Sequence, residues 1–193
     1  IKAIKYHGGM AKDELEKENI EALKNGSENL LKHIENLKEK FGVNVVVAIN
    51  KFNQDTENEI ETLRKILEKE NVELSLVESW AKGGEGAKDI AKKVAYLCEE
   101  KENEFKYIYN LEDTIKEKVE KISKNIYGAD GVEYSKEAEE QIEKIENMGY
   151  SNLPICIAKT QYSFSDDAKN LECNSSFNIH VKEVKLKAGA EFI

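Results

Sequence analysis

The run Val43-Asn44-Val45-Val46-Val47-Ala48-Ile49-Asn50 constrains this chain more than any other feature. A nearly continuous, β-branched apolar run of strand length reads as a strand buried on both faces, the habit of a parallel sheet. Such a strand needs helices over it and a crossover to its neighbour, and the flanking sequence supplies both. Residues 13–40 carry Leu15, Ile20, Leu23, Leu30, Leu31, Ile34 and Leu37 at helical spacing, and Gly42 ends that pattern. Residues 56–70 repeat it with Ile60, Leu63 and Leu67, after which Val72, Leu74 and Leu76 alternate as a second strand. A glycine-rich turn, Lys82-Gly83-Gly84-Glu85-Gly86, leads into a helix expected to turn Ile90, Val94, Leu97 and Cys98 inward. Strand, helix, strand, helix predicts an α/β layer with right-handed crossovers.

The pattern changes after about residue 102, so the expected division is an α/β segment over 1–102 and a smaller α+β region over 103–193. In the second part Leu111, Ile115, Val119, Ile122 and Ile126 predict one helix. Ser135 is the expected N-cap of another, which ends at Gly149. Tyr127-Gly128-Ala129-Asp130-Gly131 has turn chemistry. Leu153–Ala158 reads as a short strand entered through Pro154. Phe177, Ile179 and Val181 alternate, and Val184 and Leu186 take the opposite phase, which predicts a bulge. The chain opens on Ile1 without a Met and stops at Phe192-Ile193 in an expected strand, so it reads as an internal piece of a longer protein, truncated at its C-terminus.

Charge narrows the classes of partner. The 38 acidic and 29 basic residues leave a net charge of −9, with both signs interspersed and no basic stripe, which excludes a phosphate-coating nucleic-acid binder. No apolar run approaches the ~20 residues that cross a bilayer, so no membrane partner is expected. Three cysteines, Cys98, Cys156 and Cys173, without CxxC spacing fit a reduced, cytoplasmic protein.

Function concentrates at the strand ends. Asn50-Lys51-Phe52 follows the first strand, and the C-terminal ends of parallel strands are where α/β proteins bind ligands. The alternative is that Asn50 and Lys51 simply end the strand. The turn Lys82–Gly86 can bring backbone N–H groups to an anion, or can be a tight turn without a ligand. It does not fit the dinucleotide pattern, because Asp89 takes the third glycine position, nor the GxxxxGK[ST] phosphate loop. Phe52 and Trp80, the one tryptophan, fall just beyond successive strands; they can sandwich a flat heterocycle or pack as ordinary core or rim residues. His33 and His180 read as solvated, and His7, before Gly8-Gly9, is more open to a role. Lys159–Asp167 is a dense polar-aromatic loop of the kind that carries function. No metal spacing and no nucleophile triad is evident.

Taken together, Lys5-Tyr6-His7-Gly8-Gly9, Val45–Phe52, Trp80–Gly86, Tyr127–Glu133 and Ala158–Asp167 resemble the formate–tetrahydrofolate ligase family, in the family's order and over nearly the whole chain. The resemblance implies an ATP-dependent ligase that phosphorylates formate and transfers the formyl group from formyl phosphate to tetrahydrofolate. It implies magnesium with the nucleotide, a monovalent cation, a homotetrameric parent enzyme, and tetrahydrofolate, formate and ATP as partners. The family's Gly-Lys-Thr phosphate loop lies upstream of the matched segments, so this chain is expected to be the tail of a P-loop-type parallel-sheet nucleotide domain followed by a smaller α+β region, inactive by itself. By motif, the two aromatics that flank the pterin fall on Phe52 and Trp80, with Asn50 and Lys82 as polar neighbours and Gly83, Gly84 and Gly86 as the glycine loop. Asn53 stands where many members have proline, which loosens the rim of that site. The catalytic residues are unassigned. The competing class is a stand-alone binding or assembly module without chemistry.

Overall fold

The 43–50 run does become a parallel strand, though a shorter one. The computed structural model describes residues 1–171, 173 and 175–193. In it β1 is Val46–Asn50 and β2 is Glu73–Val77, paired in parallel with Val46 opposite Glu73 and Asn50 opposite Val77. The chain forms two compact units, Ile1–Phe105 and Lys106–Ile193.

In the first unit a short helix α1 (Lys2–His7) precedes α2 (Ile20–Glu35). The helix expected from residue 13 starts only at Ile20. Asn19 is extended there and its side-chain oxygen accepts from Ala22 N at 2.9 Å, so the orphan amides of the first turn are capped at that point. A π-helical turn, Asn36–Lys40, and Gly42 at φ +66° end the helix. The two helices touch backbone to backbone: a Cβ on Gly26 would lie 1.7 Å from the Ile4 carbonyl oxygen, and one on Gly8 1.8 Å from that of Ala22. Helix α3 (Glu57–Lys69) opens with a reciprocal capping box between Thr56 and Glu59. After β2 come α4 (Ser79–Lys82), a 3₁₀ turn over Gly83–Ala87, and α5 (Lys88–Glu100). Ile34, Ile49, Ile60, Leu63, Leu67, Val72 and Leu74 make the core.

Two expectations are corrected here. Strand β1 is not buried on both faces: Ile49 is buried, Val46 and Val47 are half-buried, and Ala48 is exposed. Nor does α5 bury an apolar face, since Ile90 and Leu97 are half-buried while Val94 and Cys98 are exposed. The reason is common to both. Among the described residues the sheet has two strands, too narrow to give α5 a full surface to cover.

The first unit is tied together by a buried ion pair. Lys5 Nζ lies 2.8 Å from Glu59 Oε1, with side chains 1% and 0% exposed. Lys5 Nζ also donates to the Lys17 carbonyl at 2.7 Å. Glu59 accepts from Asn19 N at 3.2 Å and, through its other oxygen, from Thr56 N at 3.2 Å. Every polar atom in the pair is therefore occupied, the condition under which a buried charge is tolerated.

In the second unit Thr114 caps α6 (Ile115–Ile122), which runs into a π-helical turn over Ser123–Tyr127. Leu111 lies ahead of the helix and is exposed, so the predicted helix is shorter than its apolar spacing suggested. Strand β3 (Gly131–Tyr134) pairs in parallel with β4 (Asn178–Val181), Gly131 opposite Asn178. Ser135 caps α7 (Lys136–Asn147) as expected, its Oγ accepting from Ala138 N at 3.1 Å, and Gly149 follows at φ +83°. The predicted strand over 153–158 is an irregular segment, held to the C-terminus by Cys156 N to the Ile193 carbonyl, 2.8 Å, and Ile193 N to the Pro154 carbonyl, 2.9 Å. The expected strand at 192–193 reduces to one antiparallel bridge between Lys187 and Phe192. The predicted bulge is absent as well. The chain leaves the ladder after Val181, and Val184 and Leu186 turn onto the core of Ile115, Ile142, Ile145 and Ile193. Lys118, fully buried, donates to the carbonyls of Ser151 and Leu153 at 2.6 and 3.0 Å, and burial lowers its pKa.

Breaking the Lys5–Glu59 pair on one side strands a buried charge. Lys5→Met should therefore destabilise the first unit by about 3–5 kcal/mol in urea unfolding, with partial recovery in Lys5→Met/Glu59→Gln. A single variant as stable as the parent would show that the pair contributes nothing.

Candidate functional site

The parallel register sets the geometry of the sheet's C-terminal edge. With Asn50 opposite Val77, Phe52 two residues past β1 and Trp80 three residues past β2 emerge at the same edge. Lys51 N donates to the Val77 carbonyl at 3.0 Å and carries the ladder one step beyond Asn50. Phe52 is 43% and Trp80 66% exposed, so neither ring belongs to the core. That removes the plain core-packing alternative for both. Asn50 is exposed.

Each aromatic is mounted differently. Phe52 opens a tight turn closed by Asp55, which is 6% exposed: Asp55 Oδ2 accepts from Phe52 N at 2.9 Å, and Asp55 N donates to the Phe52 carbonyl at 3.0 Å. Lys2 Nζ lies 6.0 Å from the Phe52 ring centroid. Trp80 sits within α4, a short helix that the sequence reading did not expect between β2 and the glycine turn. Lysines frame the edge and carry carboxylate partners, Lys51 with Glu57 at 2.6 Å and Lys82 with Glu78 at 2.5 Å. Donating to Glu57 holds the Lys51 ammonium above its ordinary pKa, and accepting from Lys82 holds the Glu78 carboxyl below its own.

The three loop glycines separate by cause. Gly83 adopts φ +58°, which only glycine takes without strain. Gly86 approaches the strand end, since a Cβ there would lie 2.5 Å from the Glu78 carbonyl carbon, and Glu78 N donates to the Gly86 carbonyl at 3.0 Å. Gly84 is exposed, has no left-handed φ, and a Cβ on it would meet nothing within 4 Å. Asp89, the residue that spoils the dinucleotide pattern, accepts from Ser75 Oγ at 2.6 Å and pins α5 to β2; that bond is the main cause of its lowered pKa.

The remaining candidates lie elsewhere. His7 keeps Nδ1 buried without a hydrogen-bond partner among the described residues, and burial lowers its pKa. His33 is exposed on α2. His180 is exposed too, but it is bound rather than merely solvated: its backbone N and Nδ1 both meet Asp166 Oδ2, at 2.8 and 2.9 Å. The Lys159–Asp167 loop closes around Lys159 Nζ, which donates to the carbonyls of Thr160, Ser163 and Ser165 and lies 4.7 Å from the Tyr127 ring centroid. Lys159 thus acts as the loop's internal tie. A cavity of about 540 Å³ opens at the other end of the first sheet, lined by Val43, Asn44, Val46, Asn71, Glu73 and Lys93. It contains none of the aromatic or glycine residues at the strand ends.

Asp55, Glu59 and Lys5 were missed by pattern reading. Thr56-x-x-Glu59 before an apolar helix is a legible capping box and places Glu59 at a helix start. Nothing in the spacing brings Lys5 to it.

The exposed aromatics stand at the C-terminal end of a parallel pair, the edge at which α/β proteins bind ligands. The sequence matches the family model described as formate–tetrahydrofolate ligase over residues 1–193, and the chain belongs to that family. Family membership implies ATP-dependent ligation of formate to tetrahydrofolate in the parent enzyme. Among the described residues no helix is long and apolar enough to cross a membrane.

The glycine assignments make contrasting expectations for folding. Gly86→Ala should lower the unfolding midpoint, costing roughly 1–3 kcal/mol because strand-end backbone must move. Gly84→Ala should leave stability unchanged. Equal effects in thermal denaturation would refute the distinction.

Proposed function

We propose that the edge formed by Asn50, Phe52, Trp80 and Lys82 is the tetrahydrofolate site of the parent ligase, with Phe52 and Trp80 stacking on the pterin. The carrying observation is the strand register, which brings two rings, each well exposed, to one edge of the sheet. A pterin offers two flat faces and a polar rim. Rings supply the faces, and we assign the rim to Asn50 and Lys82, each two residues from a ring. Gly84 completes the reading. Glycine there serves no need inside this unit, so we assign its open backbone to close approach by the folate or by the neighbouring nucleotide domain.

ATP and magnesium belong elsewhere in this reading. The glycine turn does not fit a phosphate cradle: Glu78 backbone fills the space beside Gly86, and the flanking lysines Lys82 and Lys88 are already paired with Glu78 and Glu85. No cluster of three His, Cys, Asp or Glu side chains among the described residues is disposed to hold a metal. We therefore read the β1–β2 pair as the tail of the sheet of a P-loop-type nucleotide domain. The half-exposed apolar residues of β1 support this, being suited to further cover. Exposed free thiols at Cys98 and Cys156 suit a reducing cytoplasm. The homotetramer and the monovalent cation of the parent enzyme rest on family likeness alone.

What this chain's own residues contribute is binding and orientation. Held at one edge, the folate would present its nucleophilic nitrogen to a formyl group activated outside these residues, and proximity then supplies the acceleration.

In the intact enzyme Trp80→Ala should weaken tetrahydrofolate binding by about ten- to a hundredfold, for a stacking and burial loss of roughly 1–3 kcal/mol, while the KM for ATP stays constant. Unchanged folate affinity would refute the sandwich. The 193 residues contain no Gly-Lys-Thr loop to stabilise charge on a transferring phosphoryl group. The chain alone should therefore show no formate-dependent ADP release, and turnover comparable to an intact ligase would overturn that assignment.

A further inference from the structure

We propose that Asp55 is a positioning residue for folate binding, acting through Phe52; the proposal rests on the folate reading of the strand-end edge. Between β1 and α3, Phe52, Asn53 and Gln54 are exposed and Asp55 alone is buried, at 6% exposure. A carboxylate withdrawn from water beneath an exposed loop needs compensation. Part of that compensation is electrostatic, from the Ile1 ammonium and Lys51, and part is a pair of hydrogen bonds with Phe52. Oδ2 takes the Phe52 amide at 2.9 Å and the Asp55 amide returns to the Phe52 carbonyl at 3.0 Å. The two bonds close a ring around Asn53 and Gln54: a β-turn from Phe52 to Asp55, with the Asp55 carboxylate bonding back to the first amide of that turn.

Both ends of that ring are anchored. Upstream, Lys51 N is bonded to the Val77 carbonyl of β2. Downstream, Thr56 enters the capping box with Glu59, which the buried Lys5 holds. The Phe52 backbone is thus clamped while its ring stands 43% exposed. A stacking face held in place before the ligand arrives loses less entropy on binding, and this is where a carboxylate that never touches the ligand acquires a role in affinity.

The test compares Asp55→Ala, Asp55→Asn, Phe52→Ala and the double variant Phe52→Ala/Asp55→Ala in the intact ligase, with Kd for tetrahydrofolate and KM for ATP and formate as readouts. Asp55→Ala should weaken folate binding about tenfold, the size of one hydrogen bond to a charged acceptor. Asp55→Asn keeps the acceptor and should stay within about threefold of the parent. KM for ATP and formate should not move. In the Phe52→Ala background Asp55→Ala should add nothing further, because the ring through which it acts is gone. Additive losses, a parallel rise in KM for all substrates, or Asp55→Asn as damaging as Asp55→Ala would each overturn the proposal. If Asp55→Ala does not fold, Asp55→Ser, a weaker turn acceptor, carries the same comparison with a smaller loss. Phe52→Ala with unchanged folate affinity would instead bring down the folate reading itself, and this proposal with it.

Discussion

The ion pair between Lys5 and Glu59 is the constraint on which the first unit depends. Neither charge reaches water, and the pair's further hydrogen bonds go to backbone: Lys17 carbonyl on one side, Asn19 and Thr56 amides on the other. One contact therefore joins α1, the segment leading into α2 and the start of α3. The close crossing at Gly8 and Gly26 brings α1 near enough for the lysine to reach. Because α3 starts where Glu59 is held, the turn between β1 and α3 has a fixed end. The placement of Phe52 follows from a network that begins four residues into the chain.

The second unit repeats the device with a different partner. Lys118 is as deeply buried as Lys5, but it meets two carbonyls left after α7 rather than a carboxylate. Lys159 does the same for its own loop with three carbonyls and the face of Tyr127. Inward lysines thus satisfy backbone where no strand or helix does. This explains how irregular segments such as 151–165 can be ordered without a ladder to join.

Much of the candidate edge was legible. Parallel strands come from β-branched runs, ligand edges follow from strand direction, and an aromatic just past each strand needs no further information to be placed there. The reach of the helices was less so. Apolar spacing from residue 13 and from residue 111 overran the true starts at Ile20 and Ile115, because caps at Asn19 and Thr114 decide where a helix begins and periodicity does not record them. Strand β3 escaped notice because Gly131–Tyr134 is four residues beside turn chemistry. Such a segment becomes a strand only when β4, 47 positions on, lies alongside it.

By itself, then, the sequence determined the class of the fold, the direction of its first sheet, the family, and which aromatics stand at the strand ends. Those depend on local pattern and on order along the chain. Tertiary structure alone decided that Lys5, Glu59 and Lys118 lie inside, that Asp55 bonds back to Phe52, and that Gly83 and Gly86 are held to glycine for different reasons while Gly84 is unconstrained within its unit. In a chain where 35% of residues are charged, a lysine reads as solvated wherever it stands. Only the arrival of a partner from distant sequence, close enough to replace water, makes its burial tolerable.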